Sequence, residues 1–351
     1  MISRNLTGMT VIGLIYIFSI FLKQPLSYIL NLSVLPLSLL CLISGILFFN
    51  LFQFSEKILI GRDFIKKNIL QLAIALLGIK ISFSQLANVS IQSIGIIIIT
   101  IMLILLTYFA LSKLWPIQKE VSKLLAIGTS ICGVTAIMAS SSVLKSKDYD
   151  VSTAVLIVVL WGSLAVLIYP FFIQWYFISD LAKGIFLGVG IHDTSQVLAA
   201  AMVHSDLYQN NKVLEIATIT KLLRNLFIAL LVPSLFFFKN RVEKNASNSL
   251  SILGNIKNSI PLFIIGFIVL IIIRAIADNY YLNSVAWINI LEILENVITI
   301  LFGLALTALG ASINLKKIFS QSSIPIVIGM IYSLVSFFTI CILIFILRLN
   351  I

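Results

Sequence analysis

Gly188-Val189-Gly190-Ile191-His192-Asp193-Thr194-Ser195-Gln196 stands inside an otherwise apolar segment, approximately 184–203. Two glycines precede five consecutive polar residues, among them an acid and an imidazole. The next apolar segment, approximately 213–238, carries Lys221 and Arg224. An ionisable side chain at the centre of a membrane helix costs about 2.5–3.5 kcal/mol on insertion scales, so such groups face a protein interior or a watery path. An acid and two bases at that depth predict a route for an ion or a charged solute.

Composition gives the class around this stretch. The chain is 60% hydrophobic and 11% charged, where a soluble domain carries about 25% charged residues. Mean hydropathy is +1.13. The reading is an all-α polytopic membrane protein, one integral membrane domain over 1–351. The longest mainly polar run, about Lys239 to Ser259, is loop-sized. The net charge of +11 is read as basic loops on the cytoplasmic side, not as a nucleic-acid surface. Cys41, Cys132 and Cys341 are far apart and match no zinc or disulfide spacing. The first apolar run lacks a small-residue cleavage site and is read as a span.

About 20 apolar residues cross a bilayer. Ten to eleven transmembrane helices are expected, at approximately 8–22, 34–52, 65–82, 90–112, 123–143, 151–175, 184–203, 213–238, 259–277, 291–313 and 323–347. The segments are continuously apolar rather than alternating, which excludes barrel strands. With each segment crossing once, fifteen Lys and Arg fall on the N-terminal side and seven on the other. That bias places the N-terminus in the cytoplasm and the C-terminus outside, in the cell's inner (plasma) membrane.

Two self-similarities suggest internal repeats. Leu72–Ile81 resembles Leu304–Ile313, in helices that the span map runs in opposite directions, as inverted repeats require. The interval from Gly128 to Pro170 resembles that from Gly190 to Pro233. The span map makes that second pair parallel. Either it is spurious, a segment is re-entrant, or the repeat is permuted.

Three segments carry candidate chemistry. Gly128-Thr129-Ser130-Ile131-Cys132-Gly133-Val134-Thr135-Ala136 concentrates glycines and hydroxyls. A helix broken there would aim N–H groups and a positive dipole end at a ligand; tight helix packing is the plainer reading. His192, Ser195 and Gln196 are expected on one helix face at i, i+3 and i+4, with Asp193 beside them. An acid with an imidazole could carry a proton or bind a cation. Thr218, Lys221 and Asn225 share a face of the next helix, with Arg224 close by and suited to oxyanions. A structural lock of Asp193 onto Lys221 or Arg224 is the alternative. Lys221, about six residues into its span, is expected to snorkel in part. Glu292 and Glu295 are read as the N-terminal end of a helix.

The strings Gly128–Gly133, Ile191-His192-Asp193 with Gln196-Val197 and Ala199-Ala200, and Lys221-Leu222-Leu223-Arg224 resemble, in this order, the sulfate-exporter (YeiH-like) family of membrane proteins. The resemblance runs from about 61 to 320, with peripheral helices over 1–60, a core over 120–238 and a last helix over 321–351. It implies the superfamily of bile-acid, arsenite and riboflavin transporters, with inverted repeats and discontinuous helices crossing at the substrate. The cargo it implies is sulfate or a small sulfonate. Asp193 departs from a commoner Glu, Ser140–Ser142 from an apolar stretch with proline, and Ser195 from a small apolar residue.

The expected function is therefore secondary active transport of a small anion by alternating access, not an enzyme and without a cofactor or bound metal. The substrate would meet Gly128, Thr129, Ser130, Gly133, His192, Thr194, Ser195, Gln196, Lys221, Arg224 and Asn225. Asp193 and His192 would couple protons or sodium. Arg224→Gln is expected to abolish transport with folding largely intact. The partners are the anion, the coupling ion, the bilayer and, as one option, a second copy of the chain. An anion channel would need pore-lining rings, and an intramembrane aspartyl protease a second buried carboxylate; the sequence shows neither.

Overall fold

The computed structural model describes residues 2–29, 37–81, 83–114, 119–228, 230–231, 234–235, 262–281, 284–316 and 323–349. These residues form helices and turns, with no strand among them. In order they are α1 (Ile2–Ile29), α2 (Leu37–Leu51), α3 (Glu56–Phe64), a π turn (Ile65–Ile69), α4 (Leu70–Leu77), a 3₁₀ turn (Gly78–Lys80) and α5 (Phe83–Leu114). Then come α6 (Lys119–Ser130), α7 (Val134–Leu144), α8 (Asp148–Tyr176), α9 (Asp180–Gly190), α10 (Thr194–Tyr208) and α11 (Asn211–Leu226). The last are α12 (Leu262–Tyr281), α13 (Val285–Ala311) and α14 (Ser323–Ile346). Among the described residues, five helices are long and apolar enough to cross a membrane, within α1, α5, α8, α13 and α14. The chain is an all-helical polytopic membrane protein. The polar run 239–259 lies outside the described residues.

The chain divides into two compact units. One comprises 1–87, 201–215 and 262–317, the other 88–200, 216–261 and 318–351. In the first, the segment 65–80 runs antiparallel to α13. Arg62 donates to the Ala311 carbonyl at one end (3.3 Å), and Lys80 pairs with Glu295 at the other (2.6 Å). The likeness of Leu72–Ile81 to Leu304–Ile313 is thus carried by antiparallel elements. Gly78 lies against the backbone of Phe267 in α12, and Gly310 against that of Leu42 in α2. A side chain at either would collide with main chain, which is why both copies keep the glycine. Glu292 and Glu295 sit two turns or more inside α13 rather than at its start, and Glu295 answers Lys80.

In the second unit two of the expected spans fold back on themselves. Within 123–143, α6 ends at Ser130 and α7 begins at Val134. The two helices pack together, with the Ile137 side chain filling the space over Gly128. Glu120 and Lys123 at the start of α6 line the same cavity as Lys145 and Lys147 after α7. The segment is a hairpin with both ends on one side. A hydropathy window counts residues, not direction. The break leaves helices of 12 and 11 residues, each shorter than the roughly 20 that cross a bilayer.

The segment 184–203 behaves likewise. Gly184 packs on Ile216 and Gly188 on Thr220, so α9 runs parallel to α11. Thr194, first residue of α10, accepts a bond from Asn225 near the end of α11 (3.1 Å), so α10 runs the other way. Helix α8 is parallel to α14: Ile157 lies by Gly329, Tyr169 by Phe337 and Tyr176 by Phe345. Helix α9 is antiparallel to α14, since Val189 lies by Ser336 and His192 by Ser333. It follows that α8 and α11 are antiparallel. The pairs Gly128–Pro170 and Gly190–Pro233, parallel on the span map, are inverted once both hairpins are recognised. Pro233 itself lies outside the described residues.

Candidate functional site

Both hairpin tips are non-helical, at 131–133 and 191–193. Gly133 has φ +65° and ψ −121°, a conformation that L side chains disfavour. The tips touch there: a Cβ on Gly133 would lie 3.2 Å from the backbone N, Cα and Cβ of Asp193. His192 approaches Ser333 of α14 at the middle of that helix and of its parallel neighbour α8. The meeting point is therefore at mid-depth of the unit.

Each hairpin's first helix ends in carbonyls with no partner inside the helix. Helix α11 supplies the donors. Lys221 Nζ donates to the carbonyls of Ile131 (3.1 Å), Ile191 (2.8 Å) and His192 (2.5 Å). Arg224 Nε donates to Ser130 O (2.9 Å), Nη1 to Val189 O and Ile191 O, and Nη2 to Thr129 O. Lysine has three donors and the guanidinium five; all three of Lys221 and four of Arg224 are engaged. Both side chains are fully buried, 0% exposed. The expected snorkelling of Lys221 is overturned, because three carbonyls hold its ammonium inside. Cations at helix C-termini oppose the negative dipole end, and here two cations serve two such ends at once.

The second helices, α7 and α10, leave from the same contact with their N-termini. Helical bonding starts with Ile137 N to Gly133 O (3.2 Å) in α7 and Val197 N to Asp193 O (3.0 Å) in α10. The N–H groups before these have no partner within their helix. Asp193 Oδ1 accepts from Ser195 N (2.9 Å) and from Ser195 Oγ, capping α10. Its carboxylate turns onto its own helix; no ion pair with Lys221 or Arg224 occurs among the described residues. Asn225 donates to Thr194, and its Oδ1 is a buried oxygen with no partner among the described residues. Asp193 and Thr194 remain partly exposed and Thr135 exposed, at the end of two otherwise buried tips.

The expected face of His192, Ser195 and Gln196 does not form, because helix starts only at Thr194. His192 Nε2 meets Ser333 Oγ (2.8 Å), whose own hydroxyl hydrogen goes to Gly329 O (2.9 Å). Nε2 is then the donor, and buried Nδ1 is left without a partner among the described residues. Gln196 points to α8 instead, donating to Val159 O (3.0 Å) and Ser163 Oγ (3.2 Å) over the bare face of Gly162. Gly128 does not mark the break; it stays helical, and the chain turns three residues later. Thr129 and Ser130 contribute backbone carbonyls, and the Ser130 hydroxyl is spent on Ile127 O (2.9 Å). Sequence reasoning missed Ser333 and Ser336 of α14. Both lie one turn apart in an apolar span, a weak signal that small hydroxyls share with ordinary packing. Among the described residues no cluster of three His, Cys, Asp or Glu could hold a metal ion.

The fold and this centre define a class: a helical membrane protein with antiparallel repeated elements within each unit and two broken-helix hairpins meeting tip to tip. The chain belongs to the family described as conserved hypothetical protein 698, whose model matches residues 7–329. It is 30% identical over 271 residues to a UPF0324 membrane protein of Streptococcus pneumoniae, covering 77% of this chain and 78% of that one. A UPF0324 membrane protein of Streptococcus pyogenes serotype M18 is 30% identical over 287 residues, covering 82% and 83%. One of Fusobacterium nucleatum is 28% identical over 297 residues, covering 82% and 84%. No solved structure matches.

Proposed function

We propose that the chain is a secondary transporter of a small anion, with the anion held where the hairpin tips meet. One observation carries this reading: the negative helix ends at the centre are capped by Lys221 and Arg224, while the positive ends of α7 and α10 open at the tips beside Thr135 and Thr194. Two buried cations stand against one carboxylate, Asp193, so the centre carries a net positive charge that an anion would balance. Lys221 and Arg224 act through this field and by shaping the backbone, since their donors are already engaged. First-turn N–H groups, Thr194 and Asn225 supply the contacts. Discontinuous helices of this kind, in inverted repeats, form substrate sites in many secondary transporters.

Sulfate or a sulfonate fits the charge, and a proton or sodium on Asp193 or His192 would couple transport. The hairpins also sharpen the charge asymmetry. Lys145 and Lys147 move to the basic side and Lys183 leaves it, which favours a cytoplasmic N-terminus and an external C-terminus. The test is uptake of labelled sulfate and taurine into proteoliposomes under imposed proton and sodium gradients. Gradient-dependent uptake supports the reading. Currents far above a carrier's turnover would replace it with a channel.

A further inference from the structure

The second unit contains a cavity of about 1250 Å³ that the tip chemistry does not use. One wall is Met102, Leu105 and Phe109 of α5; the facing wall is Phe227, Leu230 and Leu231 after α11. Met102, Phe109 and Leu230 are 54%, 61% and 66% exposed, so the cavity opens sideways through apolar surface. A soluble anion would meet hydrocarbon at that opening, whereas a lipid tail would not. Its floor reaches Ile127 and Ile131 of the first hairpin.

One end is polar. Lys145, Ser146 and Lys147 join α7 to α8 there. Lys123 is already paired with Glu120 (2.7 Å), which leaves Lys145 and Lys147, with Asp150, at this rim. Lys145 caps α7 in the left-handed conformation, φ 54°, where glycine or asparagine is the usual residue. Ser146 Oγ is buried and has no hydrogen-bond partner among the described residues. A strained lysine and an orphaned hydroxyl at the mouth of an apolar cavity fit a group with one negative charge, several acceptor oxygens and a hydrocarbon tail.

We infer that this cavity holds one anionic phospholipid. Its phosphodiester sits against Lys145, Ser146 and Lys147, and an acyl chain lies between α5 and the side chains of Phe227, Leu230 and Leu231. The chain end touches the back of the tip at Ile131, whose carbonyl holds Lys221. The lipid thereby braces the first hairpin whatever the protein carries.

The experiment is native mass spectrometry of the full-length protein, delipidated and then offered phosphatidylglycerol or phosphatidylcholine. One phosphatidylglycerol is expected to be retained in preference to phosphatidylcholine. The double variant Lys145→Gly with Lys147→Gln keeps a residue suited to the left-handed turn while removing both charges. It should bind phosphatidylglycerol about thirtyfold more weakly, the factor for two lysines near an anionic lipid. Leu230→Trp should expel the lipid with the lysines intact. Equal retention of both lipids, unchanged retention in both variants, or equal stabilisation by inorganic phosphate alone would overturn the inference. Because no cargo is involved, failure of the transport reading would leave this result unchanged.

Discussion

Replacing Arg224 by Gln separates a ligand from a structural clamp. Gln sets an amide nitrogen about where Nε stands, so the bond to Ser130 O can persist. Ile191 O keeps Lys221 at 2.8 Å. The carbonyls of Thr129 and Val189 lose their guanidinium donors. A hydrogen bond from a charged group contributes about 1.5–3 kcal/mol, so two such losses cost about 3–6 kcal/mol. Breaking a buried charged network by removing one partner costs about 3–5 kcal/mol, which agrees. At roughly 2–4 °C per kcal/mol for domains of moderate size, melting should fall by about 6–20 °C. A thiol-reactive dye suits the assay, because Cys41, Cys132 and Cys341 are free and buried and Cys132 lies in the first tip. Arg224→Lys keeps the charge but not the fork, and should fall between parent and Gln. If Arg224→Gln melts within about 2 °C of the parent, the carbonyl-capping argument is wrong and the arginine is free to serve as a direct ligand.

The hairpin topology predicts that single cysteines at Lys123 and Lys147, on a background without native cysteines, react with an impermeant maleimide from the same side of the membrane; labelling from opposite sides would restore a straight crossing. Gly133→Ala should cost about 1–3 kcal/mol in backbone strain and push the tips apart, lowering melting and transport together. Gly128→Ala should be milder, since its backbone is helical and its nearest contacts are Ile137 side-chain atoms, with the Gly133 carbonyl farther off at 3.3 Å; equal effects in the two variants would refute the tip contact. Lys80→Met should cost under about 1 kcal/mol, because its partner Glu295 is 47% exposed, and the effect should vanish in high salt.

Much of this centre could be read from the residues. Apolar runs exposed the class, the glycine and hydroxyl cluster at 128–136 marked the first break, and Lys221, Arg224 and Asn225 stand on one side of α11 as helical spacing requires; the second break, at 191–193, was read as continuous helix instead. The direction of the chain after each break was not legible. A 21-residue apolar window looks the same whether it crosses or returns, and only the 42- and 43-residue spacing of the second repeat conflicted with a straight path. The partners of Lys221 and Arg224 were hidden for another reason: they are main-chain carbonyls, and every residue has one. Side-chain chemistry pointed to an anion, while the backbone had already claimed those donors.

Six of the seven bonds from Lys221 and Arg224 reach six different carbonyls, three on each hairpin, and all of them start from one helix. That makes α11 a rivet through two hinges. Neither tip can swing alone without stripping three acceptors from the shared cations. Under the transport reading proposed above, a stroke that re-exposes the centre would carry both hairpins and α11 as a single piece.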